Sequence, residues 1–404
     1  MFDLFDWRAM LLFPFFLHMT VYSVLLLVKW RRQDDLSSGI LGCFIILCAL
    51  YICPWMLGHS GWYSNQPYRD IMFYVPFQHV LWLGPLCYFY TLSITNQSFT
   101  FRRKHLLHFI PGIIWLAYGI VVFVTDQLIL KDYYFYADQR DKDLSLWYQV
   151  AGLLSMLIYT YLSLREYNHF KHLAVQVVSY ADSIIMRWLE AFLIAFLIMQ
   201  LARLGFLLFY PGCGAFVIKF WYYLILSVVA YYISISGYAN TVRAQIAFRW
   251  SESNKRALIE SDSGNTAEVL IQETKSEVQD EELEKLRPWE SALESAMTTD
   301  RLYTDPELSL NDVAEVLGTN PRTVSRTINL CFGMNFNDFV NQFRVKAVVE
   351  AMANGEAVNQ TLLGLALDSG FNSKATFNRA FKKFAGHSPV DHLKRLEAES
   401  GVKS

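Results

Sequence analysis

The sequence predicts an all-α fold in two halves: a seven-helix transmembrane bundle, then a cytoplasmic domain built from two helix-turn-helix units. Three observations predict it. Only 18% of the 404 residues are charged while 53% are hydrophobic; a soluble domain carries about 25% charged residues, and the deficit lies in Met1–Gly237. Apolar stretches of about twenty residues, the length that crosses about 30 Å of hydrocarbon, recur throughout that half. Beyond it the pattern changes to short amphipathic helices with Gly and Pro at their ends.

The seven expected spans lie near 10–29, 39–58, 71–95, 106–125, 144–164, 188–210 and 215–237. Trp30, Trp55, Trp147, Trp188 and Trp221 fall near span ends, where indoles favour the interface. Pro14, Pro54, Pro76, Pro85 and Pro111 lie inside spans, where neighbouring helices can satisfy the freed carbonyls. The start, "MFDLFDWRAML", has no basic leader and no small-residue cleavage site, so the first apolar run is expected to be a retained span. Lys29, Arg31, Arg32, Arg102, Arg103, Lys104, Arg165, Lys171, Arg243 and Arg249 follow the odd-numbered spans. The opposite loops are poorer in cations, and in one of them Asp126, Asp132, Asp138, Asp141 and Asp143 outnumber Lys131, Arg140 and Lys142. Positive-inside then places the N-terminus outside and everything after Gly237 in the cytoplasm. The expected location is the inner (cytoplasmic) membrane.

Three domains are expected: residues 1–240 as a seven-span sensor, 241–290 as an acidic Ser/Glu-rich linker without a sustained heptad, and 291–404 as the reading domain. Cys43, Cys48, Cys53, Cys87, Cys213 and Cys331 are scattered and form no CxxC pair, which predicts neither a zinc site nor a disulfide framework.

In the soluble half, "LSLNDVAEVLGTN" opens with Ser309 as N-cap and Asp312 three residues on, and closes at Gly318. A tight turn leads to "NPRTVSRTINL", with Asn320 as N-cap and Pro321 at the first helical position. Val324 and Ile328 are expected to face inward, leaving Arg322, Thr323, Ser325 and Arg326 outside. "FNDFVNQFRVKAVVEAMANG" is a longer connecting helix. "TLLGLALDSGF" and "NSKATFNRAFKKFAG" then repeat the helix-turn-helix pattern, with Phe377, Phe381 and Phe384 as core stripe. The two reader stretches contain basic residues and no acidic one, so a chain of net charge −2 still offers two basic faces.

Residues about 300–395 resemble the DNA-binding domain of the AraC/XylS family. "GFNSKATFNRAFKKFAGHSP" (Gly370–Pro389) carries the strongest match, supported by "VSRTIN…GMNF…F…FRVKAV". A multi-span half before such a domain is similar to the subset of that family with membrane-embedded sensors. The resemblance implies sequence-specific promoter binding, with base contacts from Arg322, Thr323, Ser325 and Arg326 in the first reader. In the second it implies Lys374, Ala375, Thr376, Asn378 and Arg379. Lys382 and Lys383 read as phosphate contacts. Two readers in one chain would address successive major-groove faces about 34 Å apart. His392 and Leu393 stand where the family commonly has Tyr-Arg, and Gly364 replaces a helix former.

His79, Gln200 and Arg203 are the candidate ligand-sensing residues of the membrane half, since polar groups inside spans are functional-site hypotheses. Arg203 is the first choice for an anionic ligand. Two His-x-x-His pairs, His105/His108 and His169/His172, raise a metal-dependent membrane enzyme as an alternative, yet nine histidines in the whole chain are too few for such a centre. No HExxH, GxSxG or Walker motif occurs, and neither an enzyme activity nor a cofactor or metal is expected. A membrane enzyme or transporter with a repurposed reading module, and a constitutive regulator whose spans only anchor it, remain the alternatives. Promoter DNA and the lipid bilayer are the expected partners. RNA polymerase, a small-molecule ligand and a second copy of the chain are further partners that this organisation admits.

Overall fold

A computed structural model describes residues 6–96, 99–181, 185, 187–209, 216–241 and 275–400. Cys213, Arg243, Arg249 and the 242–274 part of the expected linker lie outside the described residues. The chain divides into two units, residues 1–167 with 187–250, and residues 168–186 with 251–404. Among the described residues the secondary structure is helical, apart from one isolated antiparallel bridge, Val178 to Ser309.

In the first unit, α1 (Trp7–Gln33) starts where the Asp6 carboxylate accepts from Arg8 N, and α2 (Leu36–His59) where Asp35 accepts from Ser37 N. The enclosed helix is α2, which packs against α1 and two later helices. Ser23 Oγ donates to Gly42 O at 2.8 Å, where a small residue lets α1 and α2 approach. α3 (Tyr68–Tyr74) and α4 (Val80–Thr95) follow, then α5 (Ile110–Phe123), α6 (Leu146–Val177), α7 (Arg187–Phe209) and α8 (Phe216–Thr241).

Among the described residues five helical segments, not seven, are long and apolar enough to cross a membrane: Trp7–Gln33, Leu36–His59, Arg103–Leu130, Arg187–Gly205 and Phe220–Ala239. The expected third span, 71–95, is broken. Pro76 disfavours helical backbone at Val75, which is extended (φ −89°, ψ 117°), and the helix restarts only at Val80, leaving 16 residues. The freed backbone is paired within the protein, with Gln78 N donating to Asp143 Oδ2 at 3.1 Å and Tyr148 OH donating to Gln78 O at 2.6 Å. The expected fifth span forms α6, whose 32 residues are long enough; Gln149, Ser155, Thr160 and Ser163 dilute its apolar character. Leu17, Val24, Ile114, Ile120 and Leu128 are exposed large apolar side chains on these segments.

In the second unit, α9 (Lys275–Thr298) packs against the first reader. α10 (Leu310–Val316) carries the reciprocal Ser309/Asp312 capping box. α11 (Pro321–Cys331) begins with Asn320 Oδ1 accepting from Thr323 N at 2.9 Å. The connecting helix α12 (Phe336–Ala353) is capped by Asn335, α13 (Leu362–Asp368) by Thr361 and α14 (Lys374–Ala385) by Ser373; α15 (Pro389–Ser400) follows. The core of the second helix-turn-helix joins Val345, Val348 and Met352 of α12 to Leu365, Phe371, Phe377 and Phe381. The turn between α13 and α14 contains Gly370 at φ +89°, where an added Cβ would sit 2.2 Å from Tyr303 O. Only a residue without a side chain fits that left-handed backbone and that close approach.

Candidate nucleic-acid interface

The two reader helices present their polar residues differently. On α14, Lys374, Ala375, Asn378, Arg379, Lys382 and Lys383 are exposed along one continuous face, opposite buried Phe377, Ala380 and Phe381. Thr376 is buried instead, its hydroxyl 2.9 Å from Ser373 Oγ within the N-terminal cap. Lys383 Nζ lies 2.6 Å from Asp338 Oδ2 of the connecting helix, so part of its charge is spent on holding α14 to α12.

On α11, Arg322 is exposed and Thr323 and Arg326 are partly buried. Ser325, expected on the outer surface, is buried. The helix is packed by both α10 and α9, so a wider arc is covered than the Val324/Ile328 spacing suggested. Asn329 is exposed and lies seven residues from Arg322 and three from Arg326, on the same helical face. The i, i+4, i+7 spacing would have revealed it from the sequence. With no acidic side chain in either reader, the exposed groups are donors for phosphate oxygens and base edges: Arg forks onto guanine O6/N7 and Asn onto adenine N6/N7.

Buried Arg344 ties α12 to the segment that precedes α10. Its Nε donates to Tyr303 O at 2.8 Å and its Nη2 to Asp305 O at 2.6 Å. Burial pulls the guanidinium down to about 10, and it is still charged at neutral pH. His392, which replaces the family's Tyr, packs its ring 5.5 Å from Phe381 and lies 2.6 Å from a His387 ring nitrogen.

In the first unit, Arg203 is buried and its Nη2 donates to Gln149 Oε1. Gln149 Nε2 in turn donates to Gln78 Oε1 at 2.6 Å, and the guanidinium lies 5.5 Å from the Tyr51 ring. Gln200 is buried next to this network but donates to Thr160 Oγ1 at 2.9 Å. His79 stacks on Trp82, with ring centroids 5.1 Å apart. The structure therefore separates the three sequence candidates, and it adds Gln149, Gln78 and Tyr51 to Arg203. Gln149 was legible as an amide inside an apolar run; the ring of Tyr51 gave no signal.

Among the described residues no cluster of three or more His, Cys, Asp or Glu is placed to hold a metal ion. His105 Nδ1 accepts from Arg102 N at 3.1 Å, and His108 Nδ1 lies 2.6 Å from Tyr159 OH, so both side chains already have structural partners.

Residues 313–395 match the family model described as a helix-turn-helix domain. An uncharacterized HTH-type transcriptional regulator of Staphylococcus aureus strain COL is 30% identical over 91 residues, which cover 22% of this chain and 12% of that protein. Like-named proteins of strains MSSA476 and N315 match to the same extent. The match thus spans about an eighth of the length of these relatives. No solved structure matches the chain significantly. Residues 313–395, with their two capped readers joined by α12, are a helix-turn-helix domain of the AraC type.

Proposed function

We propose that the chain is a membrane-embedded, one-component transcription regulator that binds promoter DNA through α11 and α14 under control of its apolar half. The observation that carries this reading is the pair of N-capped, acid-free reader helices with basic exposed residues inside a helix-turn-helix domain. Arg322, Thr323, Arg326 and Asn329 read bases from the first helix, and Lys374, Ala375, Asn378 and Arg379 from the second. Lys382 contacts phosphate. Ser325, Thr376 and Lys383 act by holding the readers in place. The two readers address successive major-groove faces, about 34 Å apart.

In this reading the first unit lies in the inner membrane, with α3, α4 and α6 completing the bundle, and the reading domain lies in the cytoplasm; the five long apolar segments among the described residues support it. Sensing is assigned to the network around Arg203, whose Nη1 is buried without a hydrogen-bond partner. A buried cation of this kind favours an anionic ligand such as a carboxylate. His79 and Gln200 are engaged elsewhere, by Trp82 and Thr160. A ligand there acts only through different affinity for two states of the bundle.

Genome-wide occupancy of the full-length, membrane-inserted protein tests the reading, compared with Arg326→Ala/Arg379→Ala. Discrete promoter sites lost in the double variant are expected. Sites retained unchanged in that variant, or no sites under any growth condition, would refute DNA reading by these helices.

A further inference from the structure

The buried guanidinium of Arg344 has five N–H donors to satisfy. Tyr303 O and Asp305 O take two of its bonds, and Asn341 Oδ1 lies 3.3 Å from Nη1. The remaining acceptors come from a distant part of the chain. Ser179 Oγ is 3.1 Å from Nη2 and Ser179 O is 3.5 Å from Nη1. Ser179 follows the C-terminal end of α6, in the loop between the fifth and sixth apolar regions.

The same short segment is held on both sides. Asn337 Nδ2 donates to Ser179 O at 2.8 Å and to Val178 O at 3.4 Å, and Asn341 Nδ2 donates to Asn337 Oδ1 at 3.1 Å. Asn337, Asn341 and Arg344 lie at i, i+4, i+7, so one face of the connecting helix forms a row of buried donors. Opposite, Ser179 N donates to Leu308 O at 3.1 Å, and Val178 bridges Ser309, the N-cap of α10. Val178, Ser179 and Ala181 are all fully buried. A loop on a surface ordinarily leaves its backbone to water. Here Val178 N pairs with Ala174 O of α6, while Val178 O, Ser179 N and Ser179 O pair with the first helix-turn-helix and the connecting helix.

We propose that the slot between residues 308–309 and the Asn337/Asn341/Arg344 row is an intramolecular docking surface for residues 178–181, and that the dock couples the end of α6 to the first helix-turn-helix. Residues 168–186 then group with the reading domain, so the chain from α6 enters that unit as well as the segment before α9 does. A shift of α6 reaches the N-cap of α10 without passing through residues 242–274. The dock itself does not depend on DNA reading; its consequence for transcription rests on the proposed function.

The bridge supplies its own test. The 179-to-308 hydrogen bond flanks the Val178–Ser309 pair rather than joining it. Such non-hydrogen-bonded antiparallel pairs have Cα atoms about 4.5 Å apart, inside the disulfide range of roughly 4.4–6.8 Å. Full-length Val178→Cys/Ser309→Cys in native membranes, mildly oxidised and digested, should give a disulfide-linked peptide pair by mass spectrometry. Ser179→Pro in that background removes the donor to Leu308 O and should slow cross-linking at least tenfold. Hydrogen exchange on the unaltered protein adds a measurement that needs no substitution: the Ser179 amide should exchange at least a hundredfold more slowly than an open amide. Absence of the linked pair while Ser309→Cys keeps its protease resistance, equal cross-linking with Ser179→Pro, or free exchange at Ser179 would each overturn the dock. A cross-link without promoter occupancy would leave the dock standing and remove DNA reading. Occupancy without a cross-link would do the reverse.

Discussion

Replacing Gly370 by alanine should cost far more than the same change at Gly386, although both glycines have left-handed backbone (φ +89° and +80°). At Gly386 an added Cβ meets nothing within 4 Å, so the cost is the backbone penalty alone, about 1–2 kcal/mol. At Gly370 the Cβ would lie 2.2 Å from Tyr303 O and 2.9 Å from the Thr304 carbonyl carbon and oxygen, all main-chain atoms. The Tyr303 carbonyl must retreat, yet it accepts the 2.8 Å bond from Arg344 Nε, whose side chain is 1% exposed. Losing a hydrogen bond to a buried charged group costs about 1.5–3 kcal/mol. The sum for Gly370→Ala is roughly 2.5–5 kcal/mol, a large share of a typical stability of about 5–15 kcal/mol. Urea titration of the full-length protein in detergent, read by pulse proteolysis with a C-terminal tag, measures both variants. Equal midpoint shifts for Gly370→Ala and Gly386→Ala would refute the argument that the turn is closed against residues 303–304.

Further outcomes follow from other sites. Lys382→Ala should weaken DNA binding about equally across sequences and reduce the salt slope of log K by about 1, whereas Arg379→Ala should relax specificity at one base position, about 1–3 kcal/mol; titrations at several salt concentrations separate the two. Arg203→Leu leaves Gln149 Oε1 without its donor, and a loss of about 1–3 kcal/mol in thermal unfolding in detergent is expected; no loss would remove the network from the fold's support. Asp141 accepts from Tyr63 OH and from Asp143 N, and burial, together with the charge of Asp143, raises its carboxyl above the ordinary range. A raised folded value means that its stabilising contribution is complete below the ordinary carboxylate range and is lost as pH rises toward neutrality. Asp141→Asn should therefore flatten the fall in melting temperature between about pH 4 and pH 8. An unchanged slope would show that Asp141 is not the group that titrates.

Caps and periodicity made much of the soluble half legible. Ser309, Asn320 and Pro321 act where their side chains and fixed dihedrals dictate, because a cap is a contact over three residues. The Phe377/Phe381 stripe is likewise local: a 3.6-residue period puts both on one face whatever covers them. The apolar half was legible as composition but not as a count. Pro76 marked a break that hydropathy averaged over, and the break persists because Asp143 and Tyr148, distant in sequence, pair the freed backbone of Gln78.

Tertiary packing decided the rest. Ser325 is covered because α9 joins α10 on the first reader, and no period within α11 contains that information. Nothing near Lys383 in sequence marks its ion pair with Asp338, 45 positions away. Gln149, Gln78 and Arg203 became one network, while His79 fell to Trp82 and Gln200 to Thr160. Where helices start, which faces are apolar and that two basic readers exist all depend on neighbours a few residues apart, and so can be read without the fold. Which polar groups meet across the fold, including Ser179 on Arg344, was decided only when non-local segments packed together, because a buried donor takes its partner from whatever the fold brings within 3 Å.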